Sequence, residues 1–178
     1  MDDGFIAKPL GKRQVDQAFP VVRAILPNLA LDRWRAFAAA RLDRTQGASG
    51  PAVIRAGIMT VQNERGYIHG LFSYSADDHL HHGCVLTVEN FIVHDLFNLP
   101  DVAATLLRAM DTIARDLGCS AIHTNLPETY AMLSDYCNSV LASFRAEGHT
   151  VETLRLCKPL DGTNDNRVQP PATIQDAE

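Results

Sequence analysis

A chain of 178 residues, 46% of them hydrophobic, is long enough for one domain with a proper core and too short for two ordinary ones. The formal charge of −5 argues against a nucleic-acid partner and suits a cationic acceptor such as an amine. No apolar run reaches the length of a membrane-spanning helix, and the opening MDDGFIAKPLGKR is too acidic and too poor in apolar residues for a secretory signal. A soluble, cytoplasmic protein with no membrane partner is therefore expected. Cys84, Cys119, Cys137 and Cys157 are scattered singly, without a C-x-x-C pair, which suits a reducing compartment; they read as small buried hydrophobes.

In chain order, residues 5–10 form a short apolar start fit for an edge strand. Val15, Ala18, Phe19, Val22 and Ile25 then recur at helical spacing, with Pro20 a point of kinking. Leu31, Trp34, Phe37, Ala38 and Leu42 make a second stripe, capped by Asn28 or Asp32, with arginines on the other face. Residues 45–51, TQGASGP, are rich in breakers and predict a loop. Residues 55–62 and 67–75 are strand-like and joined by Asn-Glu-Arg-Gly, which suits a hairpin turn. The polar stretch ADDHLHHG interrupts the pattern before the apolar run of residues 84–93, the third of three consecutive antiparallel strands.

Val102, Leu106, Ala109, Met110, Ile113 and Leu117 give the most regular helical stripe in the chain, closed by Gly118 as C-cap. CSAIHTN is a returning strand, parallel to the one before the helix because a crossover of this length normally pairs its strands that way. Pro127 and Glu128 open a further helix with Leu133, Tyr136, Val140 and Phe144 on one side and Gly148 at its end. Residues 150–160 alternate well enough for a last strand, whose edge leaves a homodimer open, and residues 161–178 have too little apolar content to bury and are expected to be disordered. The result is an α/β (α+β) fold in one domain over residues 1–160: a mixed central sheet flanked by helices in three layers, α-β-α.

The unit from Thr87 to Thr124 bears most directly on function. A strand that feeds a helix start aims backbone N–H groups and the positive end of the helix dipole at the loop between them, and so favours an anion there. This unit resembles the acyl-CoA-binding core of the GNAT superfamily of N-acyltransferases, where a strand ending in Val leads into a pyrophosphate loop of pattern R/Q-x-x-G-x-G/A and then a Leu-Leu pair. Laid without gaps from Val93, the pattern puts Asn98 at the Arg/Gln position, Asp101 at the first Gly, Ala103 at the second and Leu106-Leu107 at the apolar pair. Asn98 supplies no charge, Asp101 places a carboxylate where the family has no side chain, and Pro100 removes one donor. Asp101 in the first helical turn also satisfies the dipole without any ligand. The order of elements matches the GNAT fold over about residues 5–160.

The resemblance implies acetyl-CoA as acyl donor and a small-molecule or peptide amine as acceptor. It gives the pantetheine to the main chain of Phe91, Ile92 and Val93, and the pyrophosphate to the loop and helix start at Asn98, Asp101, Val102, Ala103 and Ala104. The run Val88-Glu89-Asn90-Phe91-Ile92-Val93 resembles the V/I-E-D/N-x-x-V form of some branches. Glu89, on an otherwise apolar strand, is the candidate general base or ammonium ligand, against the plainer reading of a solvent-facing or ion-paired sheet residue. Asn90 either orients the acceptor or fills a bulge. The family's Y-x-x-x-G-F places Phe144 where a Tyr would protonate the leaving thiolate, and His149 where Phe is usual. The second reading is therefore a catalytically inactive GNAT-fold binding or regulatory protein.

His79, His81 and His82 are followed by Cys84, and alternation puts His79 and His81 on one side of an extended segment. No second cluster at zinc-like spacing completes a tetrahedral set, so the segment reads as a solvated loop with no metal expected. His69, His94 and His123 fall on separate strands or strand ends and read as packed or surface residues.

Overall fold

A computed structural model describes residues 4–43, 55–95, 97–126 and 134–152, the side chains of residues 134–138 excepted. Five strands, β1 (Ile6–Pro9), β2 (Ala56–Gln62), β3 (Ile68–His79), β4 (Gly83–Val93) and β5 (Ala121–Asn125), lie in the sheet in sequence order. The first four are antiparallel and β5 runs parallel to β4, as expected. Among the described residues four α-helices accompany them: α1 (Val15–Ile25), α2 (Leu31–Asp43), α3 (Leu99–Asp116) and α4 (Ser134–Ala146).

The β2–β3 turn forms because the Asn63 carboxamide accepts the backbone N–H groups of Arg65 and Tyr67 at 3.1 and 3.0 Å, while Gly66 takes the left-handed φ of 80° that the turn requires. The polar stretch after Ser75 does not end β3. Ala76, Asp77, Asp78 and His79 stay in the ladder opposite Leu86, Val85, Cys84 and Gly83, so their polarity marks the solvent-facing end of a hairpin rather than a break.

Helices α1 and α2 cover one face and α3 and α4 the other, because side chains alternate along the strands. At Gly70 a Cβ would lie 3.0 Å from Leu106 Cδ1 and 3.2 Å from Val102 Cγ1 of α3. Its neighbour Leu71 instead meets Val22, Leu26, Trp34 and Phe37 of the other layer. The α1–α2 pair is locked by Trp34 Nε1, which donates to the Val15 carbonyl at 2.7 Å, and by a two-pronged Arg35–Asp16 pair at 2.8 Å. Phe72, Phe91, Leu71, Leu86, Ile92, Leu106 and Met110 are fully buried between the layers.

Helix α3 begins at Leu99, ahead of its first core residue Val102, since Pro100 sits in the first turn where no intrahelical partner for its missing N–H exists. Thr150, Val151 and Glu152 are not strand, and Val151 is fully exposed; the rest of the expected last strand, Pro127, Glu128 and Leu133, and residues 161–178 lie outside the described residues. No described helix is long and apolar enough to cross a membrane.

Candidate functional site

The site is organised by an irregularity in β4. Leu71 pairs with Ile92 and Ser73 with Glu89, so Asn90 and Phe91 together oppose Phe72. This is a β-bulge, and Asn90 takes it up with φ 55°, the only positive φ of a non-glycine among the described residues. Asn tolerates that conformation because its short side chain bonds locally: Nδ2 donates to Ser73 Oγ at 3.1 Å, and Ser73 Oγ donates to the Glu89 carbonyl at 3.0 Å. The β4–β5 ladder ends at Glu89–Asn125, whereas β4 runs on to Val93 against β3.

Asn90 and Ile92 line a cavity of about 100 Å³ whose other wall is Val22, Leu26, Trp34 and Phe37. Glu89 is one-third exposed at the side chain and lies 3.8 Å from Arg41 Nη2 of α2. It is thus both ion-paired and open to solvent, which is how a carboxylate survives on an apolar strand. Phe91 turns to the opposite face, stacked on Phe72 and edge-on to Phe144 at 4.8 Å. Phe144, 5% exposed, is a core side chain of α4, with His149 against its other side at 5.0 Å. Burial holds the His149 imidazole below its ordinary range.

The loop from β4 to α3 is held by a residue the sequence reading passed over. Asp95 Oδ1 accepts the backbone N–H of Phe97 at 2.8 Å and of Asn98 at 2.6 Å, and Asp95 Oδ2 meets His69 Nδ1 at 2.7 Å. Burial works to raise the Asp95 pKa, but the N–H groups of Asn98 and Phe97 and the His69 ring outweigh it and hold the carboxyl below the usual range. The signal was there: an Asp two and three residues before its donors, at the entry to a helix, is an Asx turn. Asn98 is the α3 N-cap, and its carbonyl accepts the N–H of both Asp101 and Val102 at 3.1 Å. The Asp101 side chain is exposed, Val102 and Ala103 are completely buried against the sheet, and Ala104 is half-buried. Three donors of the expected phosphate loop, those of Asn98, Asp101 and Val102, thus have internal acceptors, as does Phe97 just before it.

Two of the cysteines, read as small buried hydrophobes, are only half-buried. Cys84 and Cys119 are half-buried free thiols with Sγ atoms 3.2 Å apart, and burial together with the Cys84 thiol pushes Cys119 up to about 11. The histidines regroup as well: His79 and His82 stand with His123 of β5, while Cys84 does not join them.

No protein-family model and no curated protein matches the chain. Solved structures do. An acetyltransferase from Trypanosoma brucei superposes with a TM-score of 0.63 at 14% identity, over 88% of this chain and all of that one. The aminoglycoside N-acetyltransferase AAC(6')-Iy in complex with CoA gives a TM-score of 0.64 at 14% identity, covering 92% and 98%. A transcriptional regulator from Bacillus halodurans gives 0.65 at 12% identity, covering 88% and 100%. These likenesses cover 88–92% of this chain and 98–100% of each neighbour, and on them the chain has a GNAT-like fold.

Proposed function

We infer that the protein is an acyl-CoA-dependent N-acyltransferase, moving acetyl from acetyl-CoA to an amine. The observation that carries this reading is the β4 bulge, which stands where the β4–β5 ladder stops at Glu89–Asn125 and puts Asn90 on the wall of a cavity between the sheet and the α1–α2 layer, with Glu89 next to it in the chain. A thioester laid along Phe91, Ile92 and Val93 would bring its carbonyl to the bulge, with main-chain groups to polarise it. The amine nitrogen attacks that carbonyl carbon, the C–S bond breaks, and the thiolate leaves. Glu89 accepts the proton the amine loses, directly or through one water, with Arg41 holding the carboxylate toward α2. Phe144 has no proton to give, so the thiolate takes its proton from water.

Acetyl-CoA as donor rests on the fold, on the Val93 to Leu107 register and on the CoA complex of the aminoglycoside enzyme. Its diphosphate would have to take the Phe97 and Asn98 donors from the Asp95 carboxylate. The acceptor is a small-molecule or peptide amine, and the unbridged Cys84 and Cys119 fit a cytoplasmic setting. A second reading, a GNAT-fold binding or regulatory protein, is favoured by that same carboxylate and by the buried Phe144.

Calorimetric titration with acetyl-CoA, followed by thiol release in the presence of an amine panel, decides between them. Micromolar binding with amine-dependent thiol release supports the enzyme. Absence of heat at millimolar acetyl-CoA overturns it, and binding without thiol release from any amine leaves the regulatory reading.

A further inference from the structure

We propose that His79, His82 and His123 form a binding site for a divalent transition metal of the zinc class, with Glu152 as its fourth ligand. The three imidazoles come from the end of β3, the β3–β4 turn and the middle of β5, and they offer nitrogens that lie within 4.8 Å of one another. Nothing in linear spacing brings His123 to the other two; the sheet does. His79 pairs across β3–β4 with Gly83, and His123 across β4–β5 with Thr87, two β4 positions on the same face. The turn is then tied to β5 by Ser120, whose hydroxyl donates to the His82 carbonyl and whose N–H donates to the Cys84 carbonyl at 2.8 Å.

Two further observations point to a ligand. His123 Nε2 is buried and makes no hydrogen bond, an arrangement that costs free energy unless something completes it. The Glu152 carboxylate stands against two of the rings, with Oε1 2.7 Å from His82 Nε2 and Oε2 3.4 Å from His123 Nε2. Three imidazoles and one carboxylate are the donor set of a tetrahedral zinc or cobalt site.

Zinc–nitrogen bonds of about 2.0–2.1 Å place tetrahedral nitrogens about 3.4 Å apart, so closing from within 4.8 Å takes roughly an ångström of ring movement. His79 and His82 stack at 5.2 Å between centroids, and His79 and His123 meet edge-on at 4.7 Å. His79 enters by releasing two long contacts, the 3.3 Å approaches of the His81 and His82 N–H groups to its Nδ1. His81 is exposed and lies outside the set. The metal would clamp the β3–β4 turn to β5 and to the segment after α4, at the start of β4 and away from the Glu89–Asn90 bulge.

Calorimetric titration of zinc chloride into tag-free, chelator-stripped full-length protein tests this. One zinc per chain at micromolar or tighter affinity is expected, weakened on the order of a hundredfold by His123→Ala and at least about tenfold by Glu152→Gln. His81→Ala should change nothing, and cobalt should give the intense visible bands of a tetrahedral site. Should His123→Ala fail to fold, His82→Ala in the turn serves in its place and should lose the zinc-induced rise in melting temperature. Wild-type binding no tighter than that of the His82→Ala variant, or a loss for His81→Ala equal to that for His82→Ala, overturns the site and leaves a surface histidine cluster paired with Glu152.

Discussion

His69 Nδ1 lies 2.7 Å from Asp95 Oδ2, which fixes the carboxylate so that its other oxygen takes two N–H groups at the entry to α3. The chain thus supplies its own anion at the helix start, the position where a diphosphate is expected. Asp95→Ala should release the Phe97 and Asn98 donors and remove a negative charge, so CoA affinity should rise in calorimetry, with Asp95→Asn intermediate. The same change should lower stability by about 1–3 kcal/mol in urea, the usual loss on removing a charged hydrogen-bond acceptor. Weaker CoA binding by the alanine variant would show that Asp95 shapes the loop for the ligand rather than standing in its place.

Acid should destabilise the fold in two stages. Burial depresses the His149 pKa below its ordinary 6.5, so the unfolded chain binds the proton more readily; stability is full above that value and falls as pH drops through the lower folded value. Asp95 is depressed below 3.8 and behaves with the same sign at lower pH: its contribution is present above 3.8 and disappears as its folded carboxyl protonates. Melting temperature followed from neutral pH downward should show both declines. His149→Phe, which keeps the ring against Phe144, should flatten the first and leave the second.

The architecture was legible because the elements that build it have strong periods. The apolar run of β4, the stripe from Val102 to Leu117 and the Gly118 stop report burial directly, and burial is what the layers are made of. β3 was cut short because Asp77, Asp78 and His79 are held by backbone pairing, which leaves no hydrophobic trace. Asn90 was read either as orienting the acceptor or as filling a bulge, and the β3–β4 register with its φ of 55° puts it in a bulge. The His69–Asp95 pair and the histidine cluster were hidden for a different reason. Asp95 pairs with His69, 26 residues earlier, and His123 meets His79 only through strand pairing, so neither partnership has a spacing to read, whereas the Asx turn of Asp95 with Phe97 and Asn98 has one.

Gly70 stands where β3, β4 and α3 approach closely. A Cβ there would sit 2.9 Å from the Ile92 carbonyl oxygen and 3.0 Å from Leu106 Cδ1, and the nearer contact is backbone that cannot rotate away. Gly70→Ala should therefore cost about 1–3 kcal/mol by overpacking, despite the gain from a less flexible unfolded chain. The midpoint of urea unfolding should fall with its slope unchanged. A neutral result would mean that α3 rides farther from the sheet at this point.

Glu89 tests the catalytic reading against the structural one because the two differ in magnitude. Its pair with Arg41 spans 3.8 Å with the carboxylate one-third exposed, and a pair of that kind is worth at most about 1 kcal/mol. Glu89→Gln should accordingly shift the melting temperature very little. As a general base the same residue contributes on the order of 10²–10⁴ in rate, so kcat should fall by that factor while acetyl-CoA affinity, set by main chain and loop, is unchanged. Loss of stability with kcat intact would return Glu89 to the role of a sheet carboxylate anchored by α2, and the proton would have to leave the amine through water alone.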